Sequence, residues 1–176
     1  MTSSRRPHLL TARPLMMCVV LGAFTALIVA LTRLLSLAIG ASIPWLAYPS
    51  PTPWFLPVIM APLLVRRSGA AAITGLIGAV GGGGMAFLAA LVVEASVLPF
   101  RQGRRLQLPW AVTAGVLIGF MTFGFMFIIP EFNAISPGLK ALALGVRVVT
   151  GIGYGWLAWL LVRSLNRAGI GERQEG

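Results

Sequence analysis

The chain has 176 residues, of which 57% are hydrophobic and only 10% are charged, and its net charge at pH 7 is +10. A soluble domain has about 25% charged residues, so this composition, with a mean hydropathy of +0.89, excludes an ordinary soluble fold and predicts one integral membrane domain over residues 1–176. One His, one Cys and no Asp exclude a Ser-His-Asp triad and disfavour a metal site. We expect no cofactor. We also expect no nucleic-acid partner, because the cations fall in short blocks between apolar runs.

The first predicted element follows a polar tail, residues 1–14, and is the apolar run 15–40. This run exceeds the ~20 residues that cross a membrane, and it is too long for a cleaved signal peptide. It contains Arg33, which lies about 27 Å along the helix. We therefore expect Arg33 to lie near the outer interface, where its side chain can reach water.

Five more apolar segments follow a proline-rich connection, and the chain closes with a polar tail, 164–176. The predicted segments are 54–65, 69–80, 85–100, 108–129 and 139–162. The second and third segments of the chain are short, so they either span with a tilt or form a re-entrant hairpin. The predicted fold class is all-α: a polytopic bundle of six transmembrane helices over residues 15–163.

Positive charge is distributed unevenly between the two sides of this bundle. Eleven of the 14 Lys and Arg residues lie in the two tails, at Arg163 just before the C-terminal tail, and in the connections at 66–67 and 101–105, whereas the opposite side has only Lys140. Cytoplasmic loops of membrane proteins are enriched in Lys and Arg. Both termini are therefore predicted to be cytoplasmic.

Two further charged residues, Glu94 and Arg147, lie within predicted segments. Counted from the outer end of each segment, their depths are about 13 Å and about 12 Å. Ionisable residues at such depth usually face the bundle interior or a water-filled cavity. Equal depth allows either a structural ion pair between Glu94 and Arg147, or one cavity that both side chains line.

Aromatic residues gather where the first connection meets the second segment. Trp45, Tyr48 and Trp54 are found there, and the ten residues 44–53 include four prolines. One interpretation is interfacial anchoring of the aromatic rings. The other is a lid, stiffened by proline, whose rings stack on a flat ligand.

Small residues recur at four-residue spacing in three segments. They are Gly22, Ala26 and Ala30 in the first segment, Gly115 and Gly119 in the fifth, and Gly151 and Gly155 in the sixth. Such faces let membrane helices approach closely. They indicate either packing within the bundle or docking of another subunit.

The stretch "PWFLPVIMAPLLVRRSGAAAITGLIGAV", residues 53–80, resembles the corresponding part of substrate-binding (S) components of energy-coupling-factor (ECF) vitamin transporters. Within that family it looks like the branch associated with thiamine or its hydroxymethylpyrimidine precursor, and an S component for a different vitamin is the alternative. The resemblance implies a multi-pass protein of the bacterial plasma membrane that captures a vitamin from outside. It also implies a transmembrane coupling protein and two cytoplasmic ATPases as partners, and the chain itself has no GxxxxGK[ST] motif.

The resemblance also implies roles for particular residues. The stripe of Gly22, Ala26 and Ala30 matches the Ala-xxx-Ala motif with which S components contact the coupling protein, with Gly in place of the first Ala. On a straight helix Arg33 shares the face of this stripe, so we expect Arg33 to be no ligand contact.

For an aminopyrimidine ligand, the carboxylate of Glu94 would accept hydrogen bonds. Trp45 or Trp54 would stack on the ring, and Asn133 would bond to it. Arg147 suits a neutral or anionic ligand better than cationic thiamine, or else it holds Glu94 in place.

Two other functions compete with transport. An intramembrane enzyme is disfavoured, because no His lies within a segment and no HExxH or paired-carboxylate motif is present. The other is a small membrane assembly or scaffold protein that binds no ligand and whose buried charges are purely structural.

Overall fold

A computed structural model describes residues 12–40, 53–81, 84–97 and 108–169 of the chain. Every regular element in these ranges is helical. The helices are α1 (Ala12–Gly40), α2 (Leu56–Val65), α3 (Ala70–Val80), α4 (Gly84–Val97), α5 (Leu108–Met126), α6 (Pro130–Asn133) and α7 (Pro137–Arg167). A 3₁₀ turn, Pro53–Phe55, leads into α2. The all-α membrane fold predicted from the sequence is confirmed.

Three of the helices are long and apolar enough to cross a membrane: Ala12–Leu37 in α1, Leu108–Met126 in α5 and Pro137–Arg167 in α7. The apolar helices α2, α3 and α4 are shorter, 10 to 14 residues each. The second and third predicted segments are thus as short as the sequence indicated.

We call the end of the bundle with the first turn of α1 and the last turn of α7 the basal end, and the end with α6 the distal end. The charge distribution predicts that the basal end is cytoplasmic.

Helix α3 runs parallel to α1 but covers only its basal half. The hydroxyl of Thr74 donates to the carbonyl of Cys18 at 3.4 Å, and a Cβ placed on Gly81 would lie 2.9 Å from the backbone of Ala26. Ala26 is the midpoint of α1, so α3 ends about 21 Å before Gly40. The α3–α4 hairpin therefore turns at mid-height and occupies the basal half of the bundle.

Helix α2 is the centre of that basal half. All ten of its residues are buried, and it packs against α1, α3, α4 and α7. A helix that is apolar on every side, as this one is, belongs in the interior of a bundle. It ends at Arg66, whose left-handed backbone (φ 51°) directs its N–H to the carbonyl of Pro62. Pro62 lies inside this helix. Because proline has no backbone N–H, it donates no hydrogen bond within the helix.

Helices α5 and α7 are joined by glycines that face each other. A Cβ on Gly151 would lie 2.5 Å from the carbonyl oxygen of Gly115, and one on Gly119 would lie 2.8 Å from the carbonyl oxygen of Arg147. A Cβ on Gly155 would overlap the backbone of Ala111. The small-residue stripes of these two helices therefore serve helix packing within the chain.

Candidate functional site

An aromatic floor lies at mid-height in the bundle, where α2 begins. The rings of Trp54 and Phe55 meet edge to face at 5.4 Å, and Phe55 meets Tyr154 of α7 edge to face at 5.5 Å. Trp54 and Phe55 are each 5% exposed. Such perpendicular ring pairs are favourable beyond the area that they bury. We call Trp54, Phe55 and Tyr154 the floor. On the distal side of these rings, the described helices are α1, α5, α6 and α7.

Arg147 is buried above this floor, in the distal half. It lies two turns from Tyr154, or about 10 Å along α7, and it is 2% exposed. Its Nη1 donates to the carbonyl of Ala143 at 3.1 Å. Among the described residues Arg147 is the one charged side chain that is almost fully buried. A guanidinium at this depth is expensive to desolvate and usually marks a functional site.

Helix α6 and its flanking turns cover the distal end of α5 and α7. Phe132 packs with Phe123 and Phe127 at ring distances of 5.8 Å and 5.4 Å. Asn133 donates its side-chain N–H to the carbonyl of Phe127 at 2.9 Å, and Lys140 donates to the carbonyl of Asn133 at 3.0 Å. The predicted ligand contact Asn133 is therefore part of the turn structure, one helix turn or more beyond Arg147.

Glu94 lies at the basal end of the bundle. Its Oε1 accepts a hydrogen bond of 2.6 Å from the backbone N–H of Gly69, at the start of α3. Its Oε2 is buried and receives no hydrogen bond from the described residues. A carboxylate at this position satisfies one of the N–H groups that a helix leaves unpaired, and it also opposes the positive end of the helix dipole. Glu94 thus stabilises the turn between α2 and α3.

The structure does not bring Glu94 and Arg147 together. The indole N–H of Trp110 donates to the carbonyl of Ser96 at 3.3 Å, which places the base of α5 beside the end of α4. Arg147 of α7 packs against Gly119, which lies nine residues beyond Trp110 along α5. The axial separation of Glu94 and Arg147 is about 10 Å. Glu94 and Arg147 therefore lie at different heights in the bundle and form no ion pair with each other.

The reason lies in the height at which α4 begins. Counting depth from the first residue of a segment assumes that the segment starts at the membrane surface. Gly84, the first residue of α4, follows the mid-height turn beside Ala26. Glu94 lies ten residues, or about 15 Å, beyond Gly84, and is therefore at the basal end.

The three residues of the stripe on α1 have different surroundings. A Cβ on Gly22 would lie 2.6 Å from the Cβ of Ile77, and Ala26 contacts Gly81. Ala30 is exposed. Two of the three residues predicted to dock a partner are thus engaged with α3 inside the chain. Arg33, on the same side of α1 but beyond the end of α3, is exposed; its position near the outer interface stays a prediction.

Two predicted lid residues, Trp45 and Tyr48, lie outside the described residues. Trp54 is described, and it belongs to the buried floor. Sequence reasoning did not single out Phe55 or Tyr154, which complete that floor. The nearest signal in the sequence was the aromatic and proline residues just before α2, which indicate a turn. They do not indicate that Tyr154 of α7 packs against this turn. Within the described ranges, no group of three or more His, Cys, Asp or Glu residues could hold a metal ion.

A search of solved structures found a protein with a similar fold. The chain superposes on a protein described as the crystal structure of an S-component of an ECF transporter, with a TM-score of 0.73 and 21% sequence identity. The similarity covers 91% of this chain and 85% of the other. No protein-family model and no curated protein matches the sequence. At this identity the similarity concerns the fold, and the chain has the fold of an ECF transporter S component.

Proposed function

We propose that the chain is the substrate-capture subunit of an ECF-type importer in the bacterial plasma membrane. The observation that carries the proposal is Arg147, a cation 2% exposed in the distal half of an S-component fold. The predicted topology turns this half toward the outside of the cell. A buried cation above an aromatic floor is an arrangement that binds a small molecule by one charge-assisted hydrogen bond and ring contacts.

The proposed ligand is a vitamin or vitamin precursor with a ring and a hydrogen-bond acceptor. The floor of Trp54, Phe55 and Tyr154 would support the ring, and Arg147 would donate to a neutral or anionic acceptor. Hydroxymethylpyrimidine meets this description, and cationic thiamine meets it less well because its charge repels a guanidinium. Trp45 and Tyr48 would close the site from the preceding connection, and Asn133 would lie at its rim.

Glu94 is left out of this proposed site. Its carboxylate is bonded to Gly69 at the basal end, about 10 Å from the level of Arg147. In this proposal, the carboxylate that would recognise an exocyclic amine does not come from this residue. Removing Glu94 from the site also removes the main physical reason for favouring a protonated aminopyrimidine.

The proposed partners are a transmembrane coupling protein and two cytoplasmic ATPases, which would supply the energy for release. The exposed side of α1, including Ala30, is the surface proposed for the coupling protein. An apolar groove of ≈ 810 Å³ adjoins it, between α1, α2 and α7, with Met16, Val20 and Phe24 among its lining residues. A groove open to lipid can receive a helix from another membrane protein.

The proposal is tested by mass spectrometry of the denatured protein, which detects a small molecule carried through purification. Thermal unfolding is then measured with a panel of vitamins that includes hydroxymethylpyrimidine and thiamine. We expect one compound to raise the melting temperature of the wild type and of Arg33→Met, and to have no effect on Arg147→Met. The melting temperature of Arg147→Met without any added compound checks that this variant is folded, so that a lost response can be assigned to binding.

A well-folded chain that carries no molecule and responds to no compound would instead support the assembly or scaffold function. A compound that stabilises wild type and Arg147→Met equally would keep the transport function but remove Arg147 from the site.

A further inference from the structure

A second pocket lies at the basal end, between the end of α2 and the last turns of α7. Its volume is ≈ 470 Å³, and three arginines line it: Arg66, Arg163 and Arg167. We call it the basic pocket. It is separate from the floor and from Arg147, so the binding of an occupant there does not depend on the proposed transport function.

The backbone holds the three guanidinium groups around one space. Arg163 and Arg167 are one turn apart on α7, so their side chains extend from the same face. Arg66 is the first residue beyond α2, in the left-handed conformation (φ 51°, ψ 24°) that few residues other than glycine adopt. The guanidinium of Arg163 lies 5.2 Å from the ring centroid of Trp159, and this cation–π contact orients it.

No carboxylate among the described residues balances this charge. In the ranges 12–40, 53–81, 84–97 and 108–169 the acidic residues are Glu94 and Glu131. Glu94 is bonded to the backbone of Gly69, and Glu131 lies in α6 at the distal end. Three cations around one pocket repel one another, so the arrangement is stabilised when an anion occupies the pocket.

The inner wall of the basic pocket is apolar. Leu63 and Val162, each 5% exposed, line it together with the half-buried ring of Trp159. Tryptophan at the end of a membrane helix is typical of the interface between headgroups and acyl chains. An occupant that suits the whole pocket has an anionic head and an apolar part next to it.

We infer that the basic pocket binds a phosphate group, and that the phosphate is the headgroup of an anionic phospholipid in the cytoplasmic leaflet. Guanidinium groups bind phosphate through pairs of parallel N–H···O bonds, and three of them can engage a phosphate from three sides. Basic pockets between membrane helices on the cytoplasmic side are suited to anionic lipid headgroups. The side-chain amide of Asn166, which also lines the pocket, can donate a further hydrogen bond.

The experiment measures thermal unfolding of the purified full chain in a neutral detergent. Phosphatidylglycerol, phosphatidylcholine and inorganic phosphate are added separately over a range of concentrations. We expect phosphatidylglycerol to raise the melting temperature, and the other two to have little effect. In the double variant Arg163→Gln, Arg167→Gln the apparent affinity for phosphatidylglycerol should fall about tenfold or more.

The matched control is Arg13→Gln. Arg13 is also a basal arginine, but it donates to the carbonyl of Gly169 and lies outside the basic pocket, so phosphatidylglycerol should stabilise this variant as it does the wild type. The lipid effect should also survive Glu172→Gln, Glu175→Gln, which removes the two acidic side chains of the C-terminal tail.

Three results would overturn the inference. Equal stabilisation by phosphatidylcholine would show that only acyl chains are bound, and equal stabilisation by inorganic phosphate would show a free anion as the occupant. A double arginine variant that responds to phosphatidylglycerol like the wild type would show that the lipid binds elsewhere.

Discussion

Gly151 of α7 faces Gly115 of α5 so closely that a Cβ on Gly151 would lie 2.5 Å from the Gly115 carbonyl oxygen. Gly119 and Gly155 make similar close contacts one turn away on each side. Together, these contacts join α5 to α7, the helix that carries Arg147. The backbone of Arg147 belongs to the same seam, since its carbonyl lies beside Gly119. The height of Arg147 in the bundle therefore depends on the close contact between these glycines.

The first prediction concerns this seam. Gly151→Ala should lower the free energy of unfolding by about 1–3 kcal/mol, because the added methyl group meets backbone that cannot move aside without separating the helices. Gly153→Ala is the matched control, since a Cβ at Gly153 meets nothing within 4 Å, and its effect should stay within about 0.5 kcal/mol. Thermal unfolding in detergent measures both variants. Equal melting temperatures for the two would contradict the close approach of α5 and α7.

The second prediction concerns Glu94. Glu94→Ala removes the acceptor of the Gly69 N–H and should cost about 1–3 kcal/mol of stability, whereas Glu94→Gln retains an acceptor oxygen and should cost less. Glu131→Ala, at an exposed position of α6, serves as the control with little expected effect. Unfolding is measured by heating in detergent. If Glu94→Gln kept full stability but lost the bound small molecule, Glu94 would be a ligand contact after all.

The third prediction concerns topology. With Cys18 replaced by Ala, the chain has no cysteine, so single cysteines can be introduced at the exposed positions Ser68 and Gly138. The turn at Ser68 is basal and Gly138 is distal. A membrane-impermeant maleimide should label Gly138→Cys in intact cells, and Ser68→Cys only in inside-out vesicles. Labelling of both residues from the same side would rule out the proposed arrangement of the helices.

The fourth prediction separates the two ends of the small-residue stripe on α1. Gly22→Leu should lower the melting temperature, since even a Cβ there would lie 2.6 Å from the Cβ of Ile77. Ala30→Leu should leave the melting temperature unchanged, because Ala30 is exposed. If the exposed side of α1 contacts the coupling protein, Ala30→Leu should reduce the amount of that protein that co-purifies. Undiminished co-purification would show that the coupling protein docks elsewhere.

Local features of the sequence were enough to predict much of the fold. Apolar runs of sufficient length located α1, α5 and α7, because a helix that crosses lipid must be apolar along its whole length. The short runs also located α2, α3 and α4. The four-residue spacing of glycines marked close-contact faces on α5 and α7, and left open whether they meet each other or another subunit. Each of these features depends only on residues that are near each other in the chain.

By itself the sequence determined that lipid is the solvent, that the fold is a helical bundle, and that Arg147 is a charge buried within a span. Only the tertiary structure decided how high each helix sits. Since the α3–α4 hairpin turns beside Ala26, Glu94 reaches the basal end and bonds to Gly69, away from Arg147. The same placement brings Arg66 beside Arg163, almost a hundred positions later, in the basic pocket. Residue counting fixes distance along one helix, whereas the relative height of two helices depends on the contacts between them.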